Sequence, residues 1–232
     1  MVVAVVVAVV VAVREGARHP TACGTLRQKV GPSEKRRSGT FRRRVDMTNG
    51  TADPIMLELV DENGTTVGTA EKLSAHRAPG RLHRAFSVFL FDDMGRLLLQ
   101  RRALGKYHSP GVWSNTCCGH PYPGEPPFAA AARRVGEELG VAPWLMREAG
   151  TVRYNHPDPA SGLVEQEYNH LFAGLVRDTP RPDPDEIAET AFVTPEELLK
   201  RHEAEPFSAW FMTVLDAARA GIREVAGTSA GW

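Results

Sequence analysis

Cysteine is scarce in this chain: three residues in 232, one at Cys23 and two adjacent at Cys117 and Cys118. That is a poor disulfide framework and suits a reducing compartment, so a cytoplasmic protein is expected. Charge of one sign is lacking too, because 28 lysines and arginines balance 28 aspartates and glutamates. The balance removes any general argument for a nucleic-acid or anionic-membrane partner. No apolar run is long enough for a bilayer: the valine and alanine stretch from Met1 to Val13 falls short of the roughly 20 residues a span needs. No basic segment precedes that stretch, and the Arg14-Glu15-Gly16 that follows does not resemble a signal cleavage site. Internal repeats are absent, as is a second periodic block large enough for another domain, while 232 residues suffice for one well-packed domain plus an extension.

The extension is residues 1–46. Arg14 to Val45 is rich in arginine, glycine and serine, has few large apolar residues, and is expected to be disordered. The globular pattern begins after Met47, which makes Met47 the expected biological start and residues 47–228 the expected domain.

Within that domain, apolar and polar residues alternate from Met56 to Val60, the cluster Asp61-Glu62-Asn63-Gly64 reads as a turn, and Val67 to Ala70 as the return strand. Ala85 to Phe91 is an apolar run of strand length. Asp92 to Gly95 is a turn, and Arg96 to Gln100 returns as a strand with Arg101, Arg102 and Lys106 at its exit. Later strands are expected at Gly150 to Tyr154, Leu163 to Val176 and around Ala191 to Val193, with a proline-rich loop over Asn155 to Gly162 and another from Asp178 to Asp185. In extended backbone Glu165 and Glu167 face the same way, a spacing that lets two carboxylates share one metal. Thr194-Pro195-Glu196-Glu197 reads as a capping box opening a helix to about His202. Phe207, Trp210, Phe211, Val214, Leu215 and Ala218 recur at helical spacing and predict an amphipathic C-terminal helix. Strands interspersed with helices indicate one mixed α/β domain.

The densest chemistry runs from Asn115 to Val141. Phe128 to Leu139 is rich in helix formers, Pro126 and Pro127 suit a first helical turn, and Gly140 suits the left-handed position that ends a helix. Arg133 and Glu137 then sit one turn apart, as do Arg134 and Glu138. Taken alone, such a helix reads equally well as a solvated face laced with ion pairs. The series Gly119, Glu125, Arg133, Val135, Glu137, Glu138, Gly140, Val141, however, resembles the Nudix box, a loop, helix and loop that holds a divalent cation against a diphosphate. Arg134 stands where Nudix hydrolases usually carry the first of their clustered glutamates, so one hydrolytic metal ligand is missing.

Trp113-Ser114-Asn115-Thr116-Cys117-Cys118-Gly119-His120-Pro121 is similar to the cysteine motif of type I isopentenyl-diphosphate isomerases. The resemblance extends from about Leu57 to Trp210 through four ordered motifs: Glu71-Lys72 to His83, Arg101-Arg102 to Lys106, Cys118-Gly119-His120, and Glu165-Gln166-Glu167. It implies a single Nudix-like α/β domain with a mixed β-sheet sandwiched between helices. It also implies a 1,3-allylic proton shift that interconverts isopentenyl and dimethylallyl diphosphate. One divalent ion, Mn2+, Zn2+ or Mg2+, is implied on His76, His83, His120, Glu165 and Glu167, a ligand set compatible with all three. A second, Mg2+, is implied on Glu138, the Cys118 carbonyl and the substrate. Lys72, Arg102 and Lys106 match the family's diphosphate-binding cations, with Arg134 added to them. Glu167, assisted by Tyr154, is the implied acid and Cys118 the implied base, while Trp210 faces the cationic intermediate and also lies on the last helix's apolar stripe. Cys117 matches no catalytic position and is expected to pack in the core. The expected partner is a small isoprenyl diphosphate, without nucleic acid or membrane. The oligomeric state is open, and a monomer is compatible with it. The alternative activity is diphosphate hydrolysis, for which the box argues and against which Arg134 and the Cys118–His120 pair argue.

Overall fold

The computed structural model of the chain describes residues 54–106, 108–158 and 161–232. The expectations placed on residues 1–46 and on Met47 lie outside them. The chain opens with a hairpin, β1 (Met56–Val60) and β2 (Thr66–Glu71), closed by the turn at Asp61, whose carboxylate accepts from Asn63 N and Thr65 N at 2.9 Å each. A short helix α1 (Lys72–His76) follows, a piece that no periodic pattern in the sequence marks. The Glu71 side chain creates it, accepting from Leu73 N at 2.8 Å and Ser74 N at 2.7 Å and so satisfying two otherwise orphan amides.

β3 (His83–Phe91) is the centre of the sheet. It runs parallel to β8 (Leu163–Leu175) along its whole length. Its other edge is shared in turn by β1, by β6 (Cys117–Gly119) and by β4 (Leu97–Arg102). β4 also pairs with β5 (Trp113–Ser114) and β9 (Ile187–Val193), and β7 (Leu145–Asp158) pairs with β8. α2 (Pro127–Leu139) covers one face of the sheet. α4 (Phe211–Ala226) and α3 (Pro195–Ala204) cover the other. The alternation of side chains along each strand fills both layers. Phe86, Val88 and Leu90 of β3, Leu98 of β4 and Phe172 of β8 meet Ala131, Val135 and Leu139 of α2. Their neighbours Phe89, Phe91, Leu97, Leu99, Leu171 and Ala173 meet Phe211, Val214 and Ala218 of α4. The expected sheet between helices is therefore present.

Several boundaries differ from expectation. The segment Asn155 to Asp158, expected in a loop, continues β7, because β7 is an outer strand and Pro157 has no N–H to lose there. β9 begins at Ile187, earlier than Ala191. The last helix starts at Phe211, leaving Phe207 and Trp210 ahead of its first turn. The chain beyond residue 228 packs back on the domain: Trp232 joins the α4-side core and donates its indole N–H to Gly95 O at 2.8 Å. The capping box at Thr194 forms, and Gly140 ends α2 with φ of 63°.

Candidate active site

Register, more than proximity in sequence, assembles the site. In the β3–β8 ladder His83 pairs with Glu167, and in the β3–β6 ladder Phe86 pairs with Gly119, which sets His120 beside them. His76 comes from the end of α1, and Glu165 from the same face of β8 as Glu167. One ligand atom each from His76, His83, His120, Glu165 and Glu167 lies within 4.8 Å of every other. The five predicted ligands are thus brought together.

The second nitrogen of two of these rings is already engaged. His76 Nδ1 meets Lys72 O at 2.7 Å and His83 Nδ1 meets Arg81 O at 2.8 Å. A carbonyl only accepts, so Nδ1 carries the proton in both, and a neutral ring turns its Nε2 lone pair inward. Inward, His83 Nε2 is 3.1 Å from His120 Nε2, His76 Nε2 is 3.2 Å from Glu165 Oε2, and His120 Nε2 is 3.1 Å from Glu167 Oε1. The Nε2 lone pairs of His76 and His83 face a pair of carboxylates, an arrangement that a positive charge among them would stabilise, so the donor set fits a divalent cation. Burial pulls His120 down to about 4 despite its hydrogen bond to Glu167, so its ring is neutral at pH 7. Burial pushes both glutamates up, with Glu167 adding to the push on Glu165, but the facing imidazoles, His108 and His76 at Glu165 and His120 and His83 at Glu167, bring both below the usual carboxylate range.

His76, His120, Glu165 and Glu167 line one cavity of about 310 Å³, together with Cys118, Tyr154 and Trp210, and His83 lies buried behind them. The Tyr154 hydroxyl donates to Glu167 Oε2, and Asn169 Nδ2 contacts the same oxygen at 2.9 Å and the hydroxyl at 3.0 Å. Burial first, then Glu167, keeps the phenol protonated far above its ordinary value. The Cys118 thiol is pushed up to about 12, by burial foremost and by Glu138, Glu167 and Glu165, against the pull of Arg102. Polar side chains hold its strand from beneath. Asn115 Nδ2 donates to Cys117 O at 2.7 Å and to Val88 O at 3.2 Å, and Thr116 Oγ1 donates to Leu98 O at 2.6 Å while accepting from Leu90 N. Cys117 itself is buried against α2, as expected. Trp210 is 5% exposed, lines the cavity and belongs to the α4-side core.

At the cavity's basic side stand Lys72, Arg102, Lys106 and Arg134. Arg102 is fixed by His108 O at 2.9 Å and Ser109 O at 3.0 Å, with its guanidinium 5.8 Å from the Trp210 ring centre. Arg134 pairs with Glu138 as its helical spacing predicts, and also lies 3.3 Å from Glu186. Glu138 is 4% exposed, and burial raises it in spite of Arg134.

Sequence reasoning missed His108, Asn169, Gln100 and Glu186, all of which touch the predicted residues. His108 Nδ1 lies 2.6 Å from Glu165 Oε1, Gln100 Nε2 is 3.4 Å from Glu138 Oε2, and Glu186 pairs with Lys106. Of the four only Asn169, two residues beyond Glu167 on the same face of β8, stands in a spacing pattern that marks it.

A family model described as the NUDIX domain matches residues 81–213. The isopentenyl-diphosphate Delta-isomerase of Streptomyces griseus is 79% identical over 185 residues, which cover 80% of this chain and 94% of that one. The chain belongs to the isopentenyl-diphosphate Delta-isomerase family. Its relative of the same name in Streptomyces coelicolor is 78% identical with the same coverage. A solved structure from Deinococcus radiodurans matches with a TM-score of 0.58 at 24% identity, covering 71% of this chain and 98% of that one, and supports the fold alone. Lys72 and His76 precede the matched NUDIX segment, so the opening hairpin and α1 complete a site that the shared domain holds only in part.

Proposed function

We propose that this chain interconverts isopentenyl and dimethylallyl diphosphate, moving a proton onto one end of a three-carbon unit and taking one from the other. The observation that carries the reading is one cavity with a thiol, Cys118, and a tyrosine-bound carboxyl, Glu167, on its wall and four cationic side chains at its basic side. Lys72, Arg102, Lys106 and Arg134 hold the diphosphate, arginine being able to engage two oxygens at once. Glu167, supplied through Tyr154, protonates the terminal carbon, and Cys118 accepts the proton that leaves. Trp210 faces the tertiary cation, where an indole gives about 2 kcal/mol when water is excluded.

In the free protein Cys118 is a thiol and Glu167 a carboxylate. That is the protonation state ready to receive dimethylallyl diphosphate, and moving one proton from the sulfur's side to the carboxyl's side gives the state that receives isopentenyl diphosphate. A forward turnover ends in the thiol–carboxylate state, so before the next isopentenyl diphosphate the sulfur gives a proton to solvent and the carboxyl regains one from it, with no net change in proton count. The His76, His83, His120, Glu165 and Glu167 cluster suits Mn2+, Zn2+ or Mg2+, and Glu138 with the Cys118 carbonyl suits Mg2+ brought with the substrate. A divalent ion held by the cluster would supply positive charge that acidifies Glu167, and one held at Glu138 would offset phosphate charge. We further propose a cytoplasmic location, supported by the free thiols of Cys117 and Cys118, and a domain for which residues 1–46 are dispensable. No helix among the described residues is long and apolar enough to cross a membrane.

Incubation of the purified chain with isopentenyl diphosphate and Mg2+ in deuterated water tests the reading. Deuterium is expected in the new methyl group of dimethylallyl diphosphate. Phosphate release without dimethylallyl diphosphate would instead mark a diphosphate hydrolase.

A further inference from the structure

The segment joining β4 to β5 carries one buried side chain for which the proposed reaction has no use. His108 is 4% exposed, and its ring lies 5.7 Å from that of Trp210 at a tilt of 33°. Nδ1 is 2.6 Å from Glu165 Oε1 and Nε2 is 3.2 Å from Asp158 Oδ2. Glu165's other oxygen, Oε2, faces His76 Nε2 at 3.2 Å. The two oxygens of this carboxylate thus differ in kind: Oε1 is occupied by His108, and Oε2 is turned toward the histidine cluster. A carboxylate held at neither oxygen is able to rotate, to chelate through both atoms or to swing away. A ring nitrogen on Oε1 removes those alternatives. The same residue's carbonyl accepts from Arg102, so one short segment is attached both to a diphosphate-binding cation and to the carboxylate cluster.

We propose that His108 is a positioning residue whose Nδ1–H holds Glu165 Oε1 and so presents Oε2 as the ligand atom for a divalent cation. The inference rests on the metal-centre reading above and extends it to a residue outside the five ligands. Outer partners of this kind change metal affinity by about 10- to 100-fold.

The test is Mn2+ binding to the metal-free full chain, followed by electron paramagnetic resonance, with thermal unfolding of each metal-free variant alongside. His108→Asn places an amide N–H near the position of Nδ1, and His108→Gln places one near that of Nε2. The His108→Asn variant is therefore expected to bind within about threefold of the unaltered chain, whereas His108→Gln and His108→Ala lose about 10- to 100-fold. An unchanged affinity in His108→Gln, or equal losses in the Asn and Gln variants, would overturn the proposal, the second by reducing the contact to packing. Absence of Mn2+ binding by the unaltered chain would instead sink the metal-centre reading itself. Should His108→Ala fail to fold, the Asn and Gln pair still decides, since both keep a polar side chain in place.

Discussion

Tyr154 and Glu167 are direct partners across the β7–β8 ladder, and the tyrosine hydroxyl donates to the glutamate's Oε2. The acid of the proposed reaction is accordingly a pair. Tyr154→Phe removes the donor and leaves the cavity's shape, so kcat is expected to fall about 10²- to 10³-fold with KM little changed. Glu167→Gln and Cys118→Ala are expected to lose at least about 10³-fold in isomerisation while diphosphate affinity stays within a few fold. Steady-state rates paired with calorimetric binding of isopentenyl diphosphate check this, and turnover near that of the unaltered chain in any of the three would contradict the assigned role.

Arg134 spans Glu138 and Glu186 at the basic side of the cavity. Arg134→Ala deletes a forked donor and leaves two carboxylates facing the incoming diphosphate, so KM for isopentenyl diphosphate is expected to rise about tenfold or more. Arg134→Lys, keeping charge without the fork, should fall between. Equal KM values for all three proteins would remove Arg134 from substrate binding.

Gly221 on α4 lies against β7: a Cβ there would meet Ala149 Cα at 2.5 Å. Glycine to alanine in an open helix usually gains stability by about 0.5–1 kcal/mol, but here the added methyl strikes backbone. Gly221→Ala is expected to cost about 1–3 kcal/mol. Urea denaturation measures it, and a stabilised variant would show that the helix and strand have room to part.

Glu58 on β1 accepts from Arg84 at 2.7 Å and from Gly124 N at 2.8 Å, tying the opening hairpin to the loop before α2. Burial pushes the carboxyl up, but these bonds outweigh it and hold it below its ordinary value. A lowered folded value means that the stabilisation is whole above the unfolded value and disappears as pH falls through the folded one. Glu58→Gln should therefore cost about 1–2 kcal/mol at pH 7 and nothing extra in strong acid, flattening the acid limb of the melting profile. Parallel melting curves for the two proteins from pH 7 to pH 3 would refute the assignment.

Much of this protein was legible before its structure. Helix α2, its glycine stop and its ion pairs follow from local spacing, because a helix joins residues three and four apart whatever surrounds them. The common face of Glu165 and Glu167 follows from the strand period in the same way. The resemblance to a known family supplied the five expected ligands and the expected diphosphate-binding cations.

Tertiary structure decided the rest. Glu71, by accepting two amides, makes the α1 turn that carries His76, and no periodic pattern announces so short a helix. Pro157 sits within a strand because β7 lies at the sheet's edge, a fact of topology. His108, Asn169, Gln100 and Glu186 became visible only where ladders and loops brought them against the predicted residues. Local sequence determines what depends on neighbours along the chain, including helix ends, strand faces and turns. Which buried polar group answers which is decided by register between distant strands, and here the pairing of β3 with both β8 and β6 made that choice.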